Sequence, residues 1–312
     1  MSSVQVIYVF TLLFVFASCE PKACPDLEDV APCTCKRLAY GLQAICANFN
    51  SSSQLVKAFR IIRSYRISTV LLYGLHIPDI LPNEVFDGMH IEELRIQKSK
   101  LKFLQPAFTG LENTLRILSL KNSTITSNNG FALARLTKLE NLNIRSFHLI
   151  KVRDTWLSEN VPNIQSLTLD ENNIKELENH AFSRLAYLKA ISLANNQIEI
   201  VKRSMFPHPA MHLIKIDLST NLIEQLPPDI FVDMPSLTEI ILSRNKLQTL
   251  LETTWKPVWE TLRIVFLIDN QIVCDNKLNW LKTLRRVYNL KGNCAAPKEM
   301  AGKSIAEIYY ET

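Results

Sequence analysis

Seven glycines in 312 residues is few, and the 14 prolines are scattered. That scarcity excludes a collagenous chain and one dominated by glycine linkers. A glycine-rich phosphate loop, Gly-x-Ser-x-Gly and His-Glu-x-x-His are all missing, so the short motifs of nucleotide binding, serine hydrolysis and zinc proteolysis are absent. Charge of one sign is also in short supply: 35 Lys and Arg against 30 Asp and Glu leave +5, spread along the chain. A nucleic-acid partner calls for a far more basic face. No cysteine lies between residues 47 and 273; the seven stand at Cys19, Cys24, Cys33, Cys35, Cys46, Cys274 and Cys294. No apolar run has membrane-spanning length. The longest, VQVIYVFTLLFVFA from Val4 to Ala17, falls short of the roughly 20 residues a spanning helix needs.

That run fits the apolar centre of a secretory leader, with Ala17-Ser18-Cys19 where a peptidase would cut and the α-amino group standing in for the missing basic residue. Cleavage after Cys19 leaves six cysteines and cleavage after Ala17 leaves seven; parity favours the first. Residues 1–19 are therefore expected to be a signal peptide, and the mature protein to be secreted and extracellular, with no membrane span.

The rest of the chain is organised by a repeat. The pattern L-x-x-L-x-L-x-x-N-x-L starts at Ile67, Ile91, Leu115, Leu139, Ile164, Leu188, Leu213, Leu237 and Leu262, so nine copies follow one another at spacings of 24 or 25. Clear copies read IQSLTLDENNI from Ile164 and LTEIILSRNKL from Leu237. Apolar residues at positions four and six with a polar one between them make a short strand with one inward face. The second half of each copy brings an aromatic, in turn Phe86, Phe108, Phe131, Trp156, Phe182, Phe206, Phe231 and Trp255, which are expected to stack as a spine. One such coil cannot bury its own apolar edge, so neighbours must stack into a continuous core. A length of 312 residues, which at roughly 150 per domain would suggest two domains, then describes one elongated stack.

Position nine predicts a ladder. An inward Asn there bonds backbone groups of adjacent coils that the turn would otherwise bury unpaired. Asn172, Asn196, Asn221, Asn245 and Asn270 supply it in the last five copies; Leu75, Ser99, Ser123 and Phe147 replace it in the first four, where the ladder is expected to be lost.

These copies resemble leucine-rich repeats over residues 67–272. The resemblance implies an α/β solenoid, a curved horseshoe with a parallel sheet on its concave face and disulfide-stapled end caps. Residues 20–66 would form an amino-terminal cysteine-rich cap with a degenerate first coil, and 273–312 a carboxy-terminal cap. The stretch from Cys24 to Cys46 resembles the amino-terminal cap of extracellular members, whose pattern pairs Cys24 with Cys35 and Cys33 with Cys46, although four cysteines allow three connectivities. Residues 53–66 would be a helix or a degraded coil. At the other end, NQIVCDNKLNWLKTL with Cys294 resembles the carboxy-terminal cap, but Asn276 stands where the family has a second cysteine and no fourth follows Cys294. That leaves Cys274–Cys294 as the single bridge, with Trp280, Leu281 and Leu284 as a helix face over the last coil. Zinc at Cys33-x-Cys35 is the competing reading, disfavoured by the spacing and by secretion.

Chemistry-bearing clusters are not apparent. The six histidines, His76, His90, His148, His180, His208 and His212, are spread along the stack, and His208 and His212 lack a third ligand nearby. No metal, cofactor or catalytic residue is assigned, and the expectation is a non-enzymatic protein. What remains is the concave face, presented by positions three, five, seven and eight. Arg95, Lys98, Lys121 and Arg145 read there as a basic stripe; the middle coils, with Thr168, Asp170, Glu171, Ser192, Ala194 and Asp217, are neutral to acidic. The last coils turn apolar through Ile241, Ile264, Phe266 and Ile268. An exposed apolar cluster on a regular scaffold is the candidate partner site, unless Phe266 and Ile268 are tucked under the cap. Asn50 and Asn122 head the two glycosylation sequons, and a sugar on Asn122 would obstruct the basic stripe.

The cap phrase CPDLEDVAPCTC, with the degenerate early copies, is similar to arthropod secreted proteins of the Oplophorus-luciferin 2-monooxygenase non-catalytic subunit family. That resemblance implies a partner that is a catalytic luciferase-like chain. The broader expectation is a secreted repeat protein that recognises an extracellular protein, a receptor or a glycan, as innate-immune and matrix recognition proteins of this type do.

Overall fold

Positions four and six of each coil enclose one polar residue, and the backbone there is extended with both apolar side chains turned inward. The computed structural model describes residues 24–310 apart from 105–106, 127–132, 134 and 158–160. The expected leader and Phe131 lie outside the described residues. The position-four residues stand in register from coil to coil: Val70, Leu94, Leu118, Leu142, Leu167, Ile191, Ile216, Ile240 and Val265. A one-residue slip would turn all of them to solvent. The result is a curved stack whose sheet has twelve strands rather than nine, parallel throughout except for its first pair. The caps supply the other three: the hairpin Cys33–Leu38 and Gly41–Ala47 before the first coil, and Asn289–Lys291 after the last.

Every coil turns its corner at position eight in the left-handed region. Gly74, Lys98, Asn122, Ser146, Glu171, Asn195, Thr220, Arg244 and Asp269 have φ between 49° and 65°. Beyond that corner the position-nine side chain closes the turn. Asn196 Oδ1 accepts from the backbone N–H of Asn172 and Ile174 in the preceding coil at 3.1 and 2.9 Å. Its amide donates to the carbonyls of Leu169, Leu193 and Ala194. Asn221, Asn245 and Asn270 repeat the arrangement with Ile198, Ile223 and Leu247.

The first half loses the ladder at Leu75 and Phe147, as expected, but keeps part of it at the two serines. Ser99 Oγ accepts from Leu75 N–H at 3.1 Å and donates to Gln97 O at 2.8 Å, and Ser123 Oγ does the same with Ser99 N–H and Lys121 O. A hydroxyl has a single proton to donate and so serves fewer backbone carbonyls than an amide does. In these coils the backbone after the corner pairs instead as a second parallel sheet, His76–Leu81, Lys100–Phe103 and Thr124–Thr126.

Among the described residues the aromatic spine forms in separate pairs, and Trp156 departs from it. Ring centroids lie 6.1 Å apart for Phe86 and Phe108, 6.2 Å for Phe182 and Phe206, and 5.2 Å for Phe231 and Trp255. Trp156 is only half-buried because the helical turn Asp154–Leu157 sends Leu157 into the core in its place. Phe59 extends the spine into the amino-terminal cap and Trp259 and Trp280 into the other.

Both ends are closed. Helix Ser52–Ile62, capped by Ser51 accepting from Gln54 N–H, buries Leu55, Ala58, Phe59 and Ile62 along one face. Disulfides join Cys24 to Cys35, Cys33 to Cys46 and Cys274 to Cys294, which leaves neither Cys33 nor Cys35 free for a metal. The expected helix over the last coil is a 3-10 run, Asn276–Thr283; Leu278, Trp280 and Leu281 are buried, and Leu284 lies past its end, partly buried. Helix Ile305–Tyr310 packs beside it through Ile305, Ala306 and Tyr309. At Gly292 an added Cβ would come within 2.9 Å of Leu267 Cβ and 3.2 Å of Ile305 Cδ1, so only glycine lets the last strand turn away there.

Asn196 serves five backbone groups, whereas Asn179 is exposed and accepts only from Lys202 Nζ. Asn196→Ala is expected to lower stability by about 3 kcal/mol and Asn179→Ala by less than about 0.5 kcal/mol; equal urea midpoints would refute the ladder. Thr220 holds φ at 54° despite its branched Cβ. Thr220→Asn is expected to stabilise by roughly 0.5–1 kcal/mol in the same titration.

Candidate functional site

The concave face is a set of rows running across the strands, each row one repeat position. Strand spacing sets neighbours in a row about 4.8 Å apart. Row five ends Ser192, Asp217, Ile241, Phe266, Lys291, and row three ends Lys215, Glu239, Ile264, Asn289. Ile241 and Phe266 are therefore direct neighbours, with Ile264 on the same face two residues before Phe266 and Ile268 two after. Ile241, Ile264 and Phe266 are half-buried among themselves, and Ile268 is 38% exposed. The carboxy-terminal cap lies beside this cluster as one more strand. What touches Phe266 from that side is Lys291, whose Nζ stands 5.3 Å from the ring centroid. The exposed Tyr288 directly precedes this last strand.

The four basic residues fall in three rows. Arg95 is in row five, Lys121 and Arg145 are adjacent in row seven, and Lys98 stands at the corner. Arg95 is bound to Glu93 at 2.6 Å, and Arg145 to Asp170 at 3.0 Å. Lys98 Nζ lies 5.4 Å from the Tyr73 ring. Two of the four charges are thus already answered within the sheet.

Asp170 does not project into solvent as position seven would predict; it is 6% exposed. It accepts from Ser192 Oγ at 2.5 Å and Ala194 N–H at 3.0 Å as well as facing Arg145. Its own partners, Arg145, Ser192 and Ala194, close around it, and Ala194 is buried with it. Burial pushes the Asp170 carboxyl above the usual carboxylate range, while Ser192 and the Arg145 guanidinium pull it down without cancelling that push.

Asn50 is exposed just before the cap helix and Asn122 is exposed at a corner, at φ 49°. Among the described residues no three His, Cys, Asp or Glu side chains are placed to hold a metal ion. His208 Nε2 faces Asp233 at 3.5 Å, and the His212 ring stacks on Tyr187. No helix of the described residues is long and apolar enough to cross a membrane.

Sequence reasoning missed Tyr288 and Lys291. The signal was present: 25 residues after Leu262 the chain reads VYNLK, with Val287 and Leu290 at positions one and four of a tenth strand.

Residues 162–211, 201–247 and 211–257 match the family described as Leucine rich repeat, and residues 79–172 match the BspA type Leucine rich repeat region. The chain is similar to Toll-like receptor 9 of Mus musculus, 26% identical over 180 residues, which cover 55% of this chain and 17% of the relative. It is similar to Leucine-rich repeats and immunoglobulin-like domains protein 3 of Homo sapiens at 27% over 174 residues, covering 55% and 14%. Osteomodulin of Rattus norvegicus matches at 25% over 177 residues, covering 55% and 40%. The chain thus spans well under half the length of these relatives. Among solved structures, a chain of the octameric complex of Latrophilin 3, Unc5D and FLRT2 superposes with a TM-score of 0.63 at 20% identity, over 89% of this chain and 96% of that one. A chain of the TLR13–ssRNA13 complex gives 0.60 at 21%, over 78% and 33%.

Because the Asp170 carboxyl titrates above its unfolded value, it favours the folded state when protonated and loses that contribution as pH rises through its folded pKa. Wild type is therefore expected to gain stability relative to Asp170→Asn as pH is lowered from neutral into the carboxylate range, read as melting temperature against pH. Relative loss on acidification would mean that Arg145 outweighs burial.

Proposed function

The chain belongs to the leucine-rich-repeat proteins, and from that premise we propose that it is a secreted, non-enzymatic binding protein that recognises an extracellular protein through the carboxy-terminal half of its concave face. One observation carries the reading: Ile241, Ile264, Phe266 and Ile268 form an apolar patch on the sheet in adjacent register, half-exposed, with Lys291 of the cap beside Phe266. Aromatic and aliphatic groups preset in such a surface bind without an ordering cost and act as anchors for a partner. Lys291 beside Phe266, together with Lys215 and Glu239 in row three, supplies a polar rim. Disulfide-closed caps and relatives that include a receptor support an extracellular setting. The partner proposed is protein rather than nucleic acid, since Arg95 and Arg145 are already bound to carboxylates. A luciferase-like catalytic chain is the narrower candidate, supported by the cap phrase CPDLEDVAPCTC.

The test is capture from extracellular fluid with wild type, with the double variant Ile241→Asp and Phe266→Asp, and with Ile150→Asp, which alters an exposed residue away from the patch. Loss of two anchors is expected to weaken the captured partner about 100-fold, while Ile150→Asp retains it and all three proteins unfold at closely similar temperatures. Identical partners on wild type and the double variant would refute the site.

A further inference from the structure

The second sheet creates a surface that the concave face does not use. Its strands put His76, Lys100 and Thr124 in one row, side by side across the stack. Along the middle strand the burial alternates, so that Leu101 and Phe103 enter the core and Lys100 and Lys102 face solvent. Two adjoining hollows of about 430 and 470 Å³ share that row, and Lys98 lines the first while Lys102 lines the second. Lys100 and Lys102 are alternate residues of one strand, about 6.6 Å apart along the backbone, and Lys98 stands at the corner two residues before that strand. Three cations thus follow one another from the corner onto the flank, with His76 beside the middle one, Lys100.

No carboxylate answers this charge among the described residues. Among the described residues none of the three lysines takes part in an ion pair, and no carboxylate lines either hollow. The nearest acid in sequence on the same sheet, Asp79, is held by the hydroxyl and backbone N–H of Ser52 at the start of the cap helix. Glu171, at the far side, accepts from Ser146 Oγ. Beside the cations, on the next coil, stand small polar groups: Thr124 and the amide of Asn122.

We propose that this flank groove binds a sulfated oligosaccharide. A single anion would meet at most two of these cations, whereas a chain of sulfated sugars meets all three. The hydroxyl and amide groups beside the lysines suit sugar hydroxyls. A nucleic acid would want aromatic platforms for its bases, and the aromatic nearest the groove, Tyr73, is covered by Lys98. The site is distinct from the concave apolar patch and does not depend on it.

The experiment is calorimetric titration of a heparin-derived hexasaccharide, and of the same hexasaccharide after desulfation, into full-length secreted protein carrying Asn122→Gln, so that no attached sugar fills the groove. In this background Lys98→Gln, Lys100→Gln and Lys102→Gln together are expected to weaken binding roughly 10- to 100-fold in 150 mM salt, at about two- to fivefold per exposed charge. Lys121→Gln with Arg145→Gln is expected to change it less than about threefold, and the desulfated sugar is expected not to bind. Three results each overturn the proposal: no binding to the starting protein, equal loss from the flank and concave variants, or undiminished binding of the desulfated sugar. Unfolding temperatures close to the starting protein's establish that a loss belongs to the groove, the substituted lysines being exposed.

Discussion

Each coil has to bend its backbone sharply between the concave strand and the return path, and the bend lies against the core, where water cannot serve the peptide groups. Everything regular about the structure follows from meeting that demand at every turn. A left-handed residue at position eight makes the bend, and the side chain at position nine supplies the hydrogen bonds that the bend removes. The leucines then need only fill the space, because the corners have already set the pitch at which successive coils lie.

Two chemistries answer the same demand in the two halves. From Asn172 onward an amide reaches both its own coil and the one before it, and the return path needs no pairing of its own beyond short segments. Where Ser99 and Ser123 stand instead, the hydroxyl covers less, and the return path pairs as a sheet. The amino-terminal flank is therefore flat and strand-like, with side chains alternating in and out. That alternation is what lines up Lys100 and Lys102 on the outside.

The stack, its period, the closed ends and the carboxy-terminal ladder were legible in the sequence because each rests on residues that recur at fixed spacing or sit alone at an end. Less legible were features that depend on neighbours outside the pattern. Asp170 occupies a position that faces outward in an isolated strand, and only its neighbours Arg145 and Ser192 on the adjoining strands bury it. The basic stripe was read from residue type without the carboxylates that answer it one strand or two residues away. Trp156 fills an aromatic position in the pattern, yet a local helical turn gives its place to Leu157. Ser99 and Ser123 looked like losses because a hydroxyl does not resemble an amide on the page, though it performs part of the same work. The apolar patch, by contrast, could be named from Ile241, Ile264, Phe266 and Ile268 directly; its far border, made by Lys291, belongs to a strand whose pattern stops halfway at Gly292.

The junction between the two halves limits how such a chain can lengthen or shorten over generations. Phe147 is the last position-nine residue without an amide, and it donates its N–H to the first Asn of the ladder, Asn172. A duplicated coil inserted among Asn196, Asn221 and Asn245 would find matching partners above and below. The same coil inserted among Ser99 and Ser123 would meet neighbours already paired as strands, and neither side would fit. Growth by copying is thus open within each half and closed across the seam, so the seam should outlast changes in the number of coils on either side of it.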